Sequence, residues 1–128
     1  MLQDEDSQAD VEVTWQDQQN INSFAKMNNR MSDLEDEYEE KKKERDYLED
    51  LEQELELADE DEPIRYKIGD SFIHMSLESA QERIVSDKDG IVGEIEIIKT
   101  EIDQLQTEMD ALKKILYGRF GKSINLEK

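Results

Sequence analysis

The chain has 128 residues, 40% of them charged, and its 35 acids against 16 Lys and Arg give a formal net charge of −19. One Trp, four Tyr and three Phe supply too little apolar volume for a broad globular core, so the core must be thin or shared. The acid excess argues against a nucleic-acid or anionic-membrane face, which needs clustered cations, and the absence of Cys excludes disulfides, thiol nucleophiles and thiolate metal sites.

Residues 1–13 open with MLQDEDSQAD, which is acidic and polar and so reads as a flexible N-terminal tail rather than a secretory or mitochondrial presequence. No apolar run approaches the roughly 20 residues that span a bilayer. The chain is read as cytosolic, with the nucleus left open.

High charge and low hydropathy also describe disordered chains, and periodicity decides between that and long helices. Thr14 followed by Asp17 marks a helix start: the hydroxyl accepts a free amide of the first turn, and an acid there suits the helix dipole. Phe24, Met27, Met31, Leu34 and Tyr38 then recur at alternating intervals of three and four, the spacing that draws one apolar seam along a helix. The same phase continues through Lys41, Arg45, Leu48, Glu52 and Leu55, so the seam turns polar midway. Between Asp33 and Glu62 there are 17 acids and 4 bases, a run that reads as a solvated helix face. The predicted helix spans 14–60 and ends before Pro63, which lacks an amide and disfavours helical geometry in its predecessor.

The period then changes to two. Ile64, Tyr66 and Ile68 alternate with Arg65 and Lys67, Gly69 and Asp70 follow, and Ser71 to Met75 resume the pattern. Glycine first in a two-residue loop predicts a type II′ hairpin over 63–75, with Tyr66 facing Ile73 and Ile64 facing Met75. Ile64, Tyr66, Ile68, Phe72, Ile73 and Met75 are the candidate assembly residues, because a lone hairpin is marginal in water and its open edges invite another strand.

A second helix is predicted over 77–118, capped by Ser76 or by Ser79 with Glu82, and ending at Gly118. Its seam runs Leu77, Ile84, Ile91, Ile95, Ile98, Ile102, Leu105, Met109, Leu112 and Leu116, with Gln81, Asp87, Lys88 and Glu94 as polar gaps or flanks. Two helices of about 40 residues, roughly 60 Å each, joined by a hairpin pair most simply as an antiparallel coiled coil. The expected fold class is therefore mostly α, with a C-terminal tail over 119–128.

The chain ends then meet away from the hairpin, where apolar residues exceed what the seam needs. Trp15, Ile21, Phe24, Leu116, Tyr117 and Phe120 are the candidate binding residues there, against the alternative that Phe120 and the tail fold back as a cap.

Catalytic and metal constellations are weak by comparison. Asp87, Asp89, Gly90 and Glu96 match positions of a calcium loop, but its first position is Val85, and Ile91 belongs to the seam. His74 stands alone and is expected to face Arg65 from its strand. Acid pairs are plentiful only because acids are, and no phosphate-binding glycine loop or nucleophile elbow is present. No enzyme activity and no cofactor are expected.

Three segments together resemble prefoldin and, within it, the β-type subunits: VTWQDQQNINSF at 13–24, DEDEPIRYKIGDSFI at 59–73 and LYGRFGKSINLE at 116–127. The resemblance covers 11–126. It implies a hexamer of two α-type and four β-type subunits, whose hairpins join in an intersubunit β-barrel from which coiled-coil tentacles project. It further implies ATP-independent capture of unfolded or nascent chains, actin and tubulin among them, and their delivery to the cytosolic group II chaperonin. Trp15, where the family commonly has Phe, and Gly118, where Ala is usual, depart from its pattern. A reading of another class remains beside it, an acidic coiled-coil histone chaperone or scaffold, motivated by the 33–62 charge run.

Overall fold

The computed structural model describes residues 12–126. Most of the expected N-terminal tail, 1–11, and the last two residues of the C-terminal tail lie outside the described residues. The order of elements is helix α1 (Trp15–Glu56), strands β1 (Ile64–Ile68) and β2 (Ser71–Met75), helix α2 (Leu77–Phe120) and a 3-10 turn at Gly121–Ser123. Among the described residues no helix is long and apolar enough to cross a membrane.

Thr14 and Asp17 start α1 by a reciprocal exchange in which each backbone amide donates to the other's side chain, Thr14 N to Asp17 Oδ2 and Asp17 N to Thr14 Oγ1, both at 3.0 Å. The helix stops at Glu56, four residues before the expected end at 60. Its last turn holds no base, while Glu54, Glu56, Asp59 and Glu60 crowd the negative end of the dipole. The chain tightens instead through Leu57 N to Glu54 O and Ala58 N to Leu55 O, and the Asp59 side chain then accepts the Asp61 amide.

Strands β1 and β2 pair antiparallel in the register the alternation predicts, Ile64 with Met75, Arg65 with His74 and Tyr66 with Ile73. Gly69 has φ of 61° and Asp70 keeps a negative φ, the pattern of a type II′ turn. Ser76 caps α2: its hydroxyl accepts the Ser79 amide at 3.2 Å, and its carbonyl accepts the Ala80 amide at 2.9 Å. Ser79 is therefore inside the helix.

The expected end of α2 at Gly118 is corrected, since the helix continues to Phe120 and the left-handed glycine that ends it is Gly121, with φ of 56°. Gly118 costs about 1 kcal/mol of helix propensity. Burial of Phe120 two residues later outweighs that cost. The segment that resembled a calcium loop, 85–96, lies wholly within α2.

The described chain divides into two compact units. One comprises the residues up to Asp36 together with those from Lys99 onward, and the other is Glu37–Ile98. In the first, Phe24, Met31, Met109, Leu116, Phe120 and Leu126 form the core, with Ile21, Met27, Ile102, Leu105 and Leu112 packed around them. In the second, Leu48, Leu55, Tyr66, Leu77, Ala80 and Ile84 form the core. Ala80, fully buried, takes the seam position that the spacing offered to Gln81, which is exposed. In both units the α1 and α2 residues meet in opposite sequence order, as an antiparallel pair requires.

Candidate functional site

The hairpin presents two different faces. On one, Ile64, Tyr66 and Ile68 lie beside Met75 and Ile73, and Tyr66 is the anchor at 1% exposure. Its hydroxyl donates to Asp87 Oδ2 at 2.8 Å, and Asp87 also holds the Arg83 guanidinium at 3.1 Å. Burial first, then the bond and the negative charge of Asp87, push the Tyr66 hydroxyl above the usual tyrosine range. Ile64, Ile68 and Met75 are half-buried around it, whereas Ile73 on the same face remains 47% exposed.

The other face carries Arg65, Lys67, Phe72 and His74, all exposed, with the Arg65 guanidinium 4.1 Å from the centre of the Phe72 ring. The sheet has two strands, so each offers one edge of backbone donors and acceptors with no strand partner among the described residues. A cleft of about 750 Å³ beside the turn is lined by Tyr47, Leu48, Lys67, Asp87, Gly90 and Ile91 among others. Of the six candidate assembly residues, Phe72 and Ile73 are thus outward, Tyr66 is core, and the rest lie between.

The unit of 12–36 and 99–126 differs from the exposed apolar cluster that composition suggested. Phe24, Leu116 and Phe120 are buried rather than presented, because Phe120 turns inward from the last helical position and the chain beyond it folds back. Ile21 and Tyr117 are half-buried, and Trp15 is 74% exposed. Val13 and Ile115, not among the residues singled out in the sequence, are also exposed.

An ion pair that spacing gave no sign of ties this unit together. Arg119 of α2 donates Nε to both Asp17 oxygens, at 3.0 and 3.2 Å, and its Nη2 reaches Asp17 and the Glu12 carbonyl. The Asp17 side chain is buried, and the Arg119 hydrogen bond, reinforced by the Thr14 amide, holds its carboxyl well below the usual carboxylate range. A carboxylate depressed in this way stabilises the fold above its unfolded-state value of about 4, and that contribution is lost as pH falls through the lower folded value. Asp17→Asn is therefore expected to melt below the parent at pH 7, with the gap narrowing progressively as pH falls below about 4. Parallel thermal melts monitored by circular dichroism check this.

In the other unit Lys41 pairs with Glu94 at 3.0 Å and Lys88 with Glu52 at 2.9 Å, so the polar stretch of the seam is bridged by ion pairs. The Glu94 hydrogen bond raises the Lys41 ammonium above its ordinary value, and the Glu52 bond does the same for Lys88. No buried side-chain polar atom lacks a partner among the described residues.

Residues 18–123 match the family model described as Prefoldin subunit. Prefoldin subunit 4 of Saccharomyces cerevisiae is 37% identical over 118 residues, which cover 92% of this chain and 92% of that protein. Prefoldin subunit 4 of Homo sapiens is 42% identical over 119 residues, covering 92% and 89% respectively. The crystal structure of the prefoldin beta subunit from Thermococcus strain KS-1 superposes with a TM-score of 0.73 over 87% of this chain and 97% of that one. At 9% identity, that likeness speaks to the fold alone.

Proposed function

This chain belongs to the prefoldin family, and on that premise we propose that it is a β-type subunit of a hetero-hexameric, ATP-independent chaperone that captures unfolded or nascent polypeptides. Its partners are α-type and other β-type prefoldin subunits, its clients include actin and tubulin, and it passes them to the group II chaperonin in the cytosol. The observation that carries the assembly half of this reading is the hairpin. Phe72 and Ile73 stay about half exposed on a sheet of only two strands, a surface that strand addition from neighbouring subunits would cover.

The capture half rests on the unit of 12–36 and 99–126, in which Trp15 and Ile115 are exposed and Ile21 and Tyr117 half-buried. Such contacts are individually weak and gain strength when several subunits hold one chain.

Ile73→Asp separates assembly from folding, because the side chain is already half in water. The change is expected to alter the stability of the chain by about 1 kcal/mol or less. It is also expected to release the chain from its complex on size-exclusion chromatography, and continued co-elution with the partner subunits would count against hairpin-mediated assembly. For capture, the reconstituted complex should retain unfolded actin in preference to the folded form, with little change between low and moderate salt. Salt-sensitive retention of folded basic proteins would instead favour the acidic-scaffold reading.

A further inference from the structure

In the unit of 12–36 and 99–126, the chain beyond Phe120 lays Ile124 and Leu126 on an apolar groove and enters it through extended backbone at Ile124. Gly121, in the left-handed region, turns the chain back after Phe120, and a single 3-10 turn leads to Ile124, whose φ of −115° and ψ of 140° are those of a strand. In extended backbone, residues two apart fall on one side. Ile124 and Leu126 accordingly both pack against the core of Phe24, Leu116 and Phe120, while Asn125 between them is exposed. The Leu126 amide donates to the Tyr117 hydroxyl at 3.3 Å.

We propose that this groove recognises extended polypeptide with apolar residues at alternate positions, and that residues 124–126 are its resident occupant, displaced when a client segment of the same pattern binds. The inference rests on the capture reading above and names the chemical class of its client. Ile124, Leu126 and the Leu126 amide are among its contacts, so the groove asks for apolar bulk at positions i and i+2 with an N–H to donate, which many unfolded chains can supply. Gly121 supplies the turn about which the segment can swing away while α2 stays in place. It also explains why the residues best suited to bind a client are buried here: the chain covers them with its own.

A resident occupant lowers apparent affinity by the fraction of time the groove is open, and two apolar anchors set against the cost of ordering a short tail put that factor at roughly tenfold. The test is a complex reconstituted with a chain ending at Ser123, beside one carrying Leu126→Ser in the full-length chain. The probe is reduced, carboxymethylated α-lactalbumin, which stays unfolded. Both complexes are expected to bind it more tightly than the parent, the truncated one by about tenfold. A free peptide of residues 121–128 is expected to compete, whereas the same peptide with Ile124 and Asn125 exchanged is not.

Unchanged or weaker capture by both altered complexes overturns the proposal, as does equal competition by the exchanged peptide. A Trp15→Ser, Ile21→Ser complex distinguishes the two levels. If it loses capture while removal of the segment changes nothing, only the groove proposal fails. If capture is indifferent to all of these changes, the capture reading fails with it.

Discussion

Replacing Tyr66 with alanine is expected to destabilise the chain by about 3–5 kcal/mol, the range for deleting a fully buried aromatic side chain. Tyr66 is the only hairpin residue in the core of its unit, packed among Leu48, Leu55, Leu77, Ala80 and Ile84, so its loss leaves a cavity that five separate side chains would have to fill. The hydroxyl contributes less than the ring. Tyr66→Phe removes only the bond to Asp87, which keeps Arg83 as a partner, and is expected to cost about 1 kcal/mol.

The raised hydroxyl supplies a pH signature as well. A group whose proton is held more tightly in the folded state contributes stability that is complete below its unfolded value of about 10 and fades as pH rises beyond it. Urea titrations of parent and Tyr66→Phe should therefore differ at pH 8 and converge above pH 10. A Tyr66→Ala chain as stable as the parent would show that the hairpin is not anchored as described.

Leu116→Ala is the counterpart in the other unit, with an expected loss of about 2–5 kcal/mol. Leu116 is completely buried, one turn before Phe120, at the point where Phe24 and the returning Leu126 converge. The range is wide because the outcome depends on collapse: if the C-terminal segment settles into the space, the cost falls toward the lower end. Leu116→Met, which nearly conserves volume, is expected to cost less than about 1.5 kcal/mol. Chemical denaturation of the purified variants measures both, and hydrogen exchange at Leu126 reports whether the segment has shifted.

What could be read from the sequence follows from which interactions are periodic. The two seams repeat every three and four residues over long stretches, so Phe24, Met31, Leu48, Ile84 and Met109 declare their burial by spacing alone. The hairpin is equally explicit, because Pro63, the period-two alternation and Gly69 each constrain the backbone locally.

The parts that spacing does not reveal depend on single events. The stop of α1 at Glu56 arises from accumulated acids at a helix end, a cost spread over several residues with no one breaker among them. Ala80 fits the seam better than Gln81 because a strict heptad count does not follow the true 3.6-residue turn. The bond between Asp17 and Arg119 joins residues 102 apart, and nothing in either one's neighbourhood announces the other. Phe120 and Leu126 were ambiguous because an apolar residue past a helix end can equally be offered to a partner or folded inward. The backbone turn at Gly121 decides it, in favour of folding inward.

Membership of a mixed prefoldin assembly, as proposed, is put to the test by native mass spectrometry of the complex recovered on this chain at natural abundance. The expected result is a six-chain particle containing one copy of this subunit and five related coiled-coil chains. A homodimer, or recovery chiefly with folded basic proteins, would contradict it.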